Sequence, residues 1–416
     1  MQNTSKFLMS TESANAGILS KAVILVAGKS TRTYPLTCTR PKALLKVANK
    51  TILEIMLDNL PKNITEIFLI VNYKKEMIQE TFKSHYKNIK INYVEQKETK
   101  GTGHALLQAE QFLKNEDNFL VMIGDDYFSA EDLAAVSKHA STILAQEVEH
   151  PEWYGVLTTN AKNELVGIEE KPAKPKTNLV NTGVYVLSKE IFPLLAKVKK
   201  SKRGEYELTD AINIIAKTKP IAVVKAKDWQ PMTYPWHLLD VNKKLLNQVK
   251  FKNDGKIEQG VTIHGAVEIG KGTILKSGTY IEGPVLIGEN CTIGPNCYIR
   301  ADTSLGNKVK IGNAVEVKNC VVGDHTSIGH LSYVGDSVIG EHVNFGAGTI
   351  AANLRHDDQT VKSQVGKNLV DSGRRKLGAI IGDHVHTGVH TSIYPGRKLW
   401  PHAATVPGEA VKKDKE

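Results

Sequence analysis

Cysteine is scarce: 416 residues hold only Cys38, Cys291, Cys297 and Cys320, and no CxxC pair occurs. That argues against a zinc ribbon and against a disulfide framework, and the four read as reduced, cytosolic thiols. Aromatic residues are few as well, at 6%. They are nowhere interleaved with a block of basic residues, so a stacking platform for nucleic acid is not expected. No apolar run reaches the ~18 residues that would span a bilayer. The opening MQNTSKFLMSTESANAGILS lacks the continuous apolar core of a secretory signal. The expectation is a cytoplasmic protein that binds neither membrane nor nucleic acid, with residues 1–20 a flexible extension. Negative charge is also in deficit, 44 Asp and Glu against 54 Lys and Arg, a balance that suits phosphorylated small molecules.

What is plentiful is glycine, 33 residues crowded toward the C-terminal half. The length exceeds what one core usually serves, so two domains are expected. From Lys21 to about Leu239, apolar runs such as KAVILVAG, EIFLIVNY and NFLVMIGDD alternate with amphipathic stretches. That is the βαβ pattern of a largely parallel, Rossmann-like sheet, assigned to residues 21–250. Beyond Asn253 large aliphatics recur every sixth residue, at Ile263, Ile269, Leu275, Ile281, Ile287, Ile293, Ile299, Leu305, Ile311 and Val317, several followed by glycine. Such a hexad predicts one short strand and one turn per repeat, with the aliphatic pointing inward. The register slips by one near Val322, breaks over residues 353–377, which should loop out, and returns at Ile381. The repeat domain is assigned to 251–405 and VKKDKE to a charged tail within 406–416.

The first strand runs into Gly28-Lys29-Ser30-Thr31-Arg32, followed by Arg40-Pro41-Lys42. A small-residue turn after a strand exposes N–H groups that can cradle phosphate oxygens. Arg32 and Lys42 add fixed positive charge where a triphosphate would sit, stabilising negative charge on a leaving pyrophosphate. An ordinary βα turn with solvated cations explains these few residues equally well. The order of motifs decides between them. LVAGKSTRTYPLTCTRPK resembles the signature of the sugar-1-phosphate nucleotidylyltransferases. Gln96, Gly101-Thr102-Gly103-His104, Gly124-Asp125, Tyr154-Gly155, Glu169-Glu170-Lys171-Pro172, Asn181-Thr182-Gly183 and Glu207-Leu208-Thr209-Asp210 follow in the family's order. The resemblance implies that Gly28, Gln96, Gly101 and Thr102 bind the nucleotide, that Asp125 holds Mg²⁺, and that Gly155, Glu170 and Asn181 bind the sugar. An amide and a hydroxyl can both read a base edge, and magnesium favours hard carboxylate oxygen.

The hexads resemble left-handed parallel β-helices, common among trimeric acyltransferases. GHLSYVGD at 329–336, VNFGAGTI at 343–350, Ala352-Asn353 and SGRRKLG at 372–378 narrow the resemblance. They look like the acetyltransferase half of the archaeal-type bifunctional hexosamine-1-phosphate acetyltransferases and N-acetylglucosamine-1-phosphate uridylyltransferases. By that resemblance Arg300 and Lys318 hold the sugar phosphate, Tyr333 and Asn344 position the sugar, and Ala347 lies against acetyl-coenzyme A. The amine must lose a proton before attacking the thioester, and the imidazole of His330 suits that task.

Two departures stand out in the N-terminal half. Ser30 occupies the second glycine of the phosphate loop. In Trp229-Gln230-Pro231-Met232-Thr233, Pro231 falls where the family has a second magnesium carboxylate, which leaves Asp228 or Asp240 as substitutes. In the C-terminal half, Asn353-Leu354 replaces Asn-Tyr, and the lysine expected in the next loop aligns with Lys362. The expected function is acetylation of glucosamine-1-phosphate (or galactosamine-1-phosphate) by acetyl-coenzyme A, then uridylyl transfer from UTP with Mg²⁺, in a homotrimer. The alternatives are a nucleotidylyltransferase with a non-catalytic coil, an acetyltransferase with an impaired nucleotidyl site, and a non-catalytic scaffold.

Overall fold

A computed structural model describes residues 19–416. The extension expected over 1–20 therefore lies outside the described residues, except for Leu19 and Ser20. Leu19 is buried, and the Ser20 carbonyl accepts a hydrogen bond from the Thr65 amide. Those two belong to the folded domain.

The runs KAVIL, EIFLIV and FLVMI are apolar on both faces, which suits a strand covered on both sides. Strand Lys21–Leu25 accordingly lies between Glu66–Val71 and Phe119–Ile123, parallel to each. Ile89–Glu95 extends the parallel set beyond Glu66–Val71. On the other side the sheet turns antiparallel through Leu179–Leu187, Gly155–Thr159 and Leu165–Glu170. Among the covering helices, Ile52–Asp58 starts on a capping box in which Thr51 and Glu54 bond each other's backbone.

After helix His237–Leu246 the chain winds into three parallel sheets of short strands. Ile269 pairs with Ile287 and Ile287 with Leu305, Leu275 with Ile293 and Ile293 with Ile311, and Ile281 with Ile299 and Ile299 with Val317. Each turn of this left-handed β-helix takes three hexads, and from Ile269 to Val317 the aliphatics are at most 1% exposed. Glycine follows them because the next turn passes too close for a side chain. A Cβ on Gly288 would lie 2.5 Å from the Gly306 carbonyl oxygen.

The register slip occupies one corner of the coil. Leu305 pairs with Val322 and Val322 with Ile339, each step one residue short of three hexads. The segment 353–377 leaves at that same corner, and Ile339 then pairs with Ile381. The segment departs from the coil as expected, but it is not a bare loop. Lys362–Val365 and Asn368–Asp371 form a hairpin. Val361 and Leu377 are buried in the N-terminal domain's core, and Arg374 Nη1 lies 2.5 Å from Asp240 Oδ1. The sheet beside this corner faces the first domain: Val321, Val338 and Ile380 share its core. Polar contacts flank them. Ser304 Oγ donates to Asn242 Oδ1 at 2.8 Å, and Arg40 clamps Asp383 at 2.7 Å as well as Glu341.

The C-terminal boundary needs correction. Ala410–Val411 pairs with Ser392–Ile393, Val411 is 3% exposed, and the Trp400 amide donates to the Lys415 carbonyl. VKKDKE is therefore part of the coil, its charges pointing outward around one inward valine.

Because each turn leans only on its neighbours, a cavity in one turn weakens the whole stack. Ile311→Ala is expected to lose about 2–5 kcal/mol. Outward-facing Lys310→Ala should change stability by no more than about 0.5 kcal/mol. Urea unfolding followed by circular dichroism checks both.

Candidate functional site

The phosphate loop lies at the carboxyl end of Lys21–Leu25. Ser30 takes a left-handed backbone, φ 49°, which costs a residue with a Cβ roughly 1–2 kcal/mol. The loop is held there from within. The Ser30 carbonyl accepts from Thr33 Oγ1 at 2.6 Å and from Thr37 Oγ1 at 2.9 Å. Two buried threonines thus stabilise the turn that a glycine would otherwise make easily.

Lys42 is 5% exposed, and its Nζ reaches Asp125 Oδ2 at 3.0 Å. Asp125 is placed by Gly124, where a Cβ would come 2.3 Å from Val26 Cγ1, so the two strand ends close on each other. A cavity of about 290 Å³ opens here, lined by Gly28, Ser30, Lys42, Gln96, Thr102 and Asp125. Arg32 does not line it. Its exposed guanidinium faces the hairpin side, near enough to Lys171 to help burial push that ammonium down. Arg203 depresses Lys171 from another side. Lys171 is thus a further cation beside Arg32 and Arg203, placed by the EKP run but assigned no role by sequence.

Neither proposed replacement for the missing carboxylate is free. Asp228 is paired with Lys244, and Asp240 with Arg374. The acid beside Asp125 is Asp126. It accepts from Trp229 Nε1 at 3.1 Å and from the Met232 amide at 2.9 Å. Enclosure, together with the Asp125 charge, drives Asp126 well above the carboxylate range. Asp126 therefore anchors the 229–232 segment at the site. The Pro231 carbonyl in turn takes a hydrogen bond from His237, whose Nδ1 is buried without a partner. Burial, Lys42 and Arg374 push that imidazole down to about 4.

Gln96 is buried, and its Nε2 lies 3.2 Å from the Gly101 carbonyl and 3.0 Å from His104 Nδ1. His104, which sequence reasoning left without a role, thus orients the Gln96 amide. Thr102 Oγ1 accepts from the Leu208 amide. The expected sugar residues lie on three neighbouring strands. Gly155 pairs with Glu170, and a Cβ at Gly155 would stand 3.1 Å from Glu170 Oε1. Glu170 itself accepts from Thr209 Oγ1. Asn181 is engaged internally: Oδ1 accepts from the Gly183 amide, and Nδ2 contacts the Tyr185 hydroxyl. These two bonds fix its orientation on the strand and leave one amide hydrogen uncommitted.

On the β-helix, His330 ends strand Ser327–His330 and its side chain is exposed at a corner, not turned into the core. Asn344 is exposed and Ala347 half-buried on the following turn. On the adjoining face Tyr333, Asp336 and Lys318 converge with Asn353, which the sequence reading had quoted without a task. Asn353 Nδ2 lies 3.0 Å from the Tyr333 hydroxyl and 2.5 Å from Asp336 Oδ2, while Lys318 Nζ is 3.9 Å from that carboxylate. Arg300 is paired with Glu316 at 2.9 Å, over the Tyr298 ring. A cavity of about 660 Å³ continues along the later turns, with Ile350, Lys362 and Tyr394 in its wall.

Fold and site together define a nucleotidyl transferase domain joined to a hexapeptide-repeat β-helix. Comparison with known proteins agrees. The nucleotidyl transferase family matches residues 21–248, and the GMPPB C-terminal domain family matches 281–404. The chain is 46% identical to the bifunctional protein GlmU of Methanococcus maripaludis strain C7, over 91% of each chain. It is 44% identical to a bifunctional sugar-1-phosphate nucleotidylyltransferase/acetyltransferase of Sulfurisphaera tokodaii, over 95% of this chain and 98% of that one. A UDP-glucose pyrophosphorylase complexed with UDP-glucose shares the N-terminal fold: TM-score 0.50, 24% identity, 55% of this chain and 99% of the other. The chain belongs to the GlmU-type family of bifunctional sugar-1-phosphate nucleotidylyltransferases and acetyltransferases, and it is a transferase.

His237 supplies a pH test of the packing around Lys42. Above pH ~6.5 the imidazole is neutral both folded and unfolded. As pH falls toward about 4, the unfolded chain takes up a proton that the folded chain refuses, so stability declines. The loss should approach about 3 kcal/mol. His237→Gln is expected to remove most of it, read as the difference between urea midpoints at pH 7 and pH 4.5.

Proposed function

We propose that the chain acetylates a hexosamine-1-phosphate on its β-helix and then joins the product to a uridylyl group from UTP in its N-terminal domain. The result is a UDP-N-acetylhexosamine and pyrophosphate. The observation that carries this reading is one chain bearing both the Lys42–Asp125 pair at the sheet's carboxyl end and an exposed imidazole, His330, on a β-helix corner.

In the first reaction His330 accepts a proton from the substrate ammonium. The freed amine attacks the thioester carbonyl, the C–S bond breaks, the second nitrogen proton is released to solvent, and the proton held by His330 passes to the departing coenzyme A thiolate. Lys318 and Arg300 attract the sugar phosphate, and Tyr333, held by Asn353, presents a hydroxyl to the sugar. Asn344 also positions the sugar, and Ala347 lies along the approach of acetyl-coenzyme A. Leu331, Val389 and Val406, exposed by 60%, 44% and 64%, form an apolar edge along the His330 corner. A lateral partner would cover such a ridge, and a homotrimer completes the acetylation cleft in this reading.

In the second reaction a sugar phosphate oxygen attacks the α-phosphorus of UTP, and pyrophosphate leaves. Gln96 and Thr102 face the base, Gly28 and Gly101 let the backbone approach the nucleotide, and Glu170 and Gly155 border the sugar. Asn181 acts by shaping that border. Lys42 stabilises the charge moving onto the pyrophosphate, and Arg32, which faces the hairpin in this structure, turns inward to join it when the triphosphate is bound. The donor chemistry suits Mg²⁺, since Asp125 offers a hard carboxylate oxygen that is 43% exposed at the cavity. Bound there, the ion would neutralise phosphate charge. The chain works in the cytoplasm, where both co-substrates are available.

His330→Ala should lower acetylation by about 10²–10⁴-fold, followed as coenzyme A thiol release. Pyrophosphate release from UTP and N-acetylglucosamine-1-phosphate should be unchanged. Asp125→Asn should give the reverse pattern. Undiminished thiol release from His330→Ala would refute the acetyltransferase assignment.

A further inference from the structure

Between the domains lies a cavity of about 470 Å³ whose lining, Arg32 apart, neither half-reaction uses. Four separate stretches build its wall: Arg32 and Tyr34 from the signature loop, Tyr234 ahead of helix His237–Leu246, Lys367 at the hairpin tip, and Lys398 with Trp400 from the last turns of the coil. The wall is cationic. Arg32 and Lys367 have no carboxylate partner among the described residues. Lys398 is 3% exposed, and its Nζ donates to the Tyr34 carbonyl at 2.9 Å. The opposing charge is Asp414, whose Oδ1 is taken up by the Lys398 amide. Burial raises that carboxyl and lowers the Lys398 ammonium to about 8, so the positive charge of the wall rests on Arg32 and Lys367. Around the cations stand three aromatic rings, with Tyr34 edge-on to Trp400 at 5.5 Å.

This combination has a specific chemical complement. An arginine fork and a lysine ammonium suit phosphate oxygens. Aromatic edges and faces suit a flat base or the C–H face of a sugar. The volume exceeds the roughly 300 Å³ at which small-ligand sites begin. We propose that the seam cavity binds a phosphate ester carried on a ring, either the chain's own nucleotide-sugar product or a separate sugar monophosphate. A consequence follows from Arg32, and it rests on the proposed reading of that residue as a cation that turns to the triphosphate when UTP binds. A guanidinium engaged by a seam ligand is withdrawn from the triphosphate. Occupancy then slows nucleotidyl transfer, and UTP weakens the seam ligand by the same factor. The domain contacts make this coupling local, because the loop and the coil already touch through Tyr34, Lys398 and Trp400.

Titration calorimetry on the full chain, with glucose 6-phosphate and with UDP-N-acetylglucosamine as separate probes, tests the site. Lys367→Ala and Trp400→Ala lie on the β-helix side and outside both reaction sites, so their rates without probe should stay within about twofold. Wild type should bind one glucose 6-phosphate, or two UDP-N-acetylglucosamine molecules, per chain according to which ligand the cavity takes. Either variant should weaken the seam event by about tenfold or more, the effect of losing a contact to a charged group. Should Trp400→Ala unfold the chain, Lys367→Ala still decides, because its side chain is exposed at the hairpin tip. Seam binding at wild-type strength in Lys367→Ala, or no seam event with either probe at millimolar concentration, would overturn the proposal. Binding that is lost in Lys367→Ala but never slows pyrophosphate release would uphold the site and overturn the Arg32 coupling.

Discussion

Branched aliphatic side chains stacked in register, one above the next at every third hexad, are the contact on which the rest of this molecule depends. Each is almost wholly removed from water, and burial of an Ile or Val side chain contributes about 1.5–3 kcal/mol. The gain is available only if the backbone keeps its period, so the coil holds its turns at a constant spacing. Everything outside the stack inherits that regularity. His330, Tyr333 and Asn344 stand at set heights on the coil because Ile328, Val334 and Phe345 beside them are locked inside it. No separate scaffold is needed to place these three side chains.

The same constraint explains how the two domains meet. Strands cannot shift without losing the stack, so the chain can vary only at corners. Its shortened steps, after Val317 and Val334, and its one long departure all fall at a single corner. The neighbouring sheet is the one that carries Val321, Val338 and Ile380 into the first domain's core. Irregularity in the coil and docking of the catalytic domain are therefore one feature. Residues 353–377, which look like a failure of the repeat, are the part of the coil that grips the other domain through Val361, Leu377 and Arg374.

Much of this was legible in sequence wherever the cause is periodic or local. The hexad, its slip near Val322 and the strand-turn placement of Gly28 and Gly124 each follow from a pattern within one short window. The last turn was hidden for a comparable reason. In VKKDKE a single inward valine suffices for a rung, while the outward lysines make the run read as a tail. Contacts that join distant segments left no such trace. Arg40 with Asp383, Asp126 with Trp229 and Arg374 with Asp240 are separated by 103 to 343 residues. Nothing near any of these residues announces its partner. Charge alone misled as well: Asp228 and Asp240 were attractive as metal carboxylates until their lysine and arginine partners came into view.

The nucleotidyl end shows how a chain can depart from a motif yet keep its geometry. A glycine in the phosphate loop is useful because it enters the left-handed region at little cost. Ser30 enters the same region, and Thr33 and Thr37 hold its carbonyl there, so backbone freedom has been exchanged for side-chain bonds. The loss of a carboxylate at Pro231 follows similar logic. The segment that bore it in related signatures is still pinned beside Asp125, because Asp126 binds both the Trp229 indole and the Met232 amide. An enclosed carboxyl next to another carboxylate favours its protonated form. Asp126 is thus suited to holding the segment, while Asp125 stands 43% exposed at the cavity and pairs with Lys42. The fold has divided between two adjacent aspartates the structural and the ionic parts of one task.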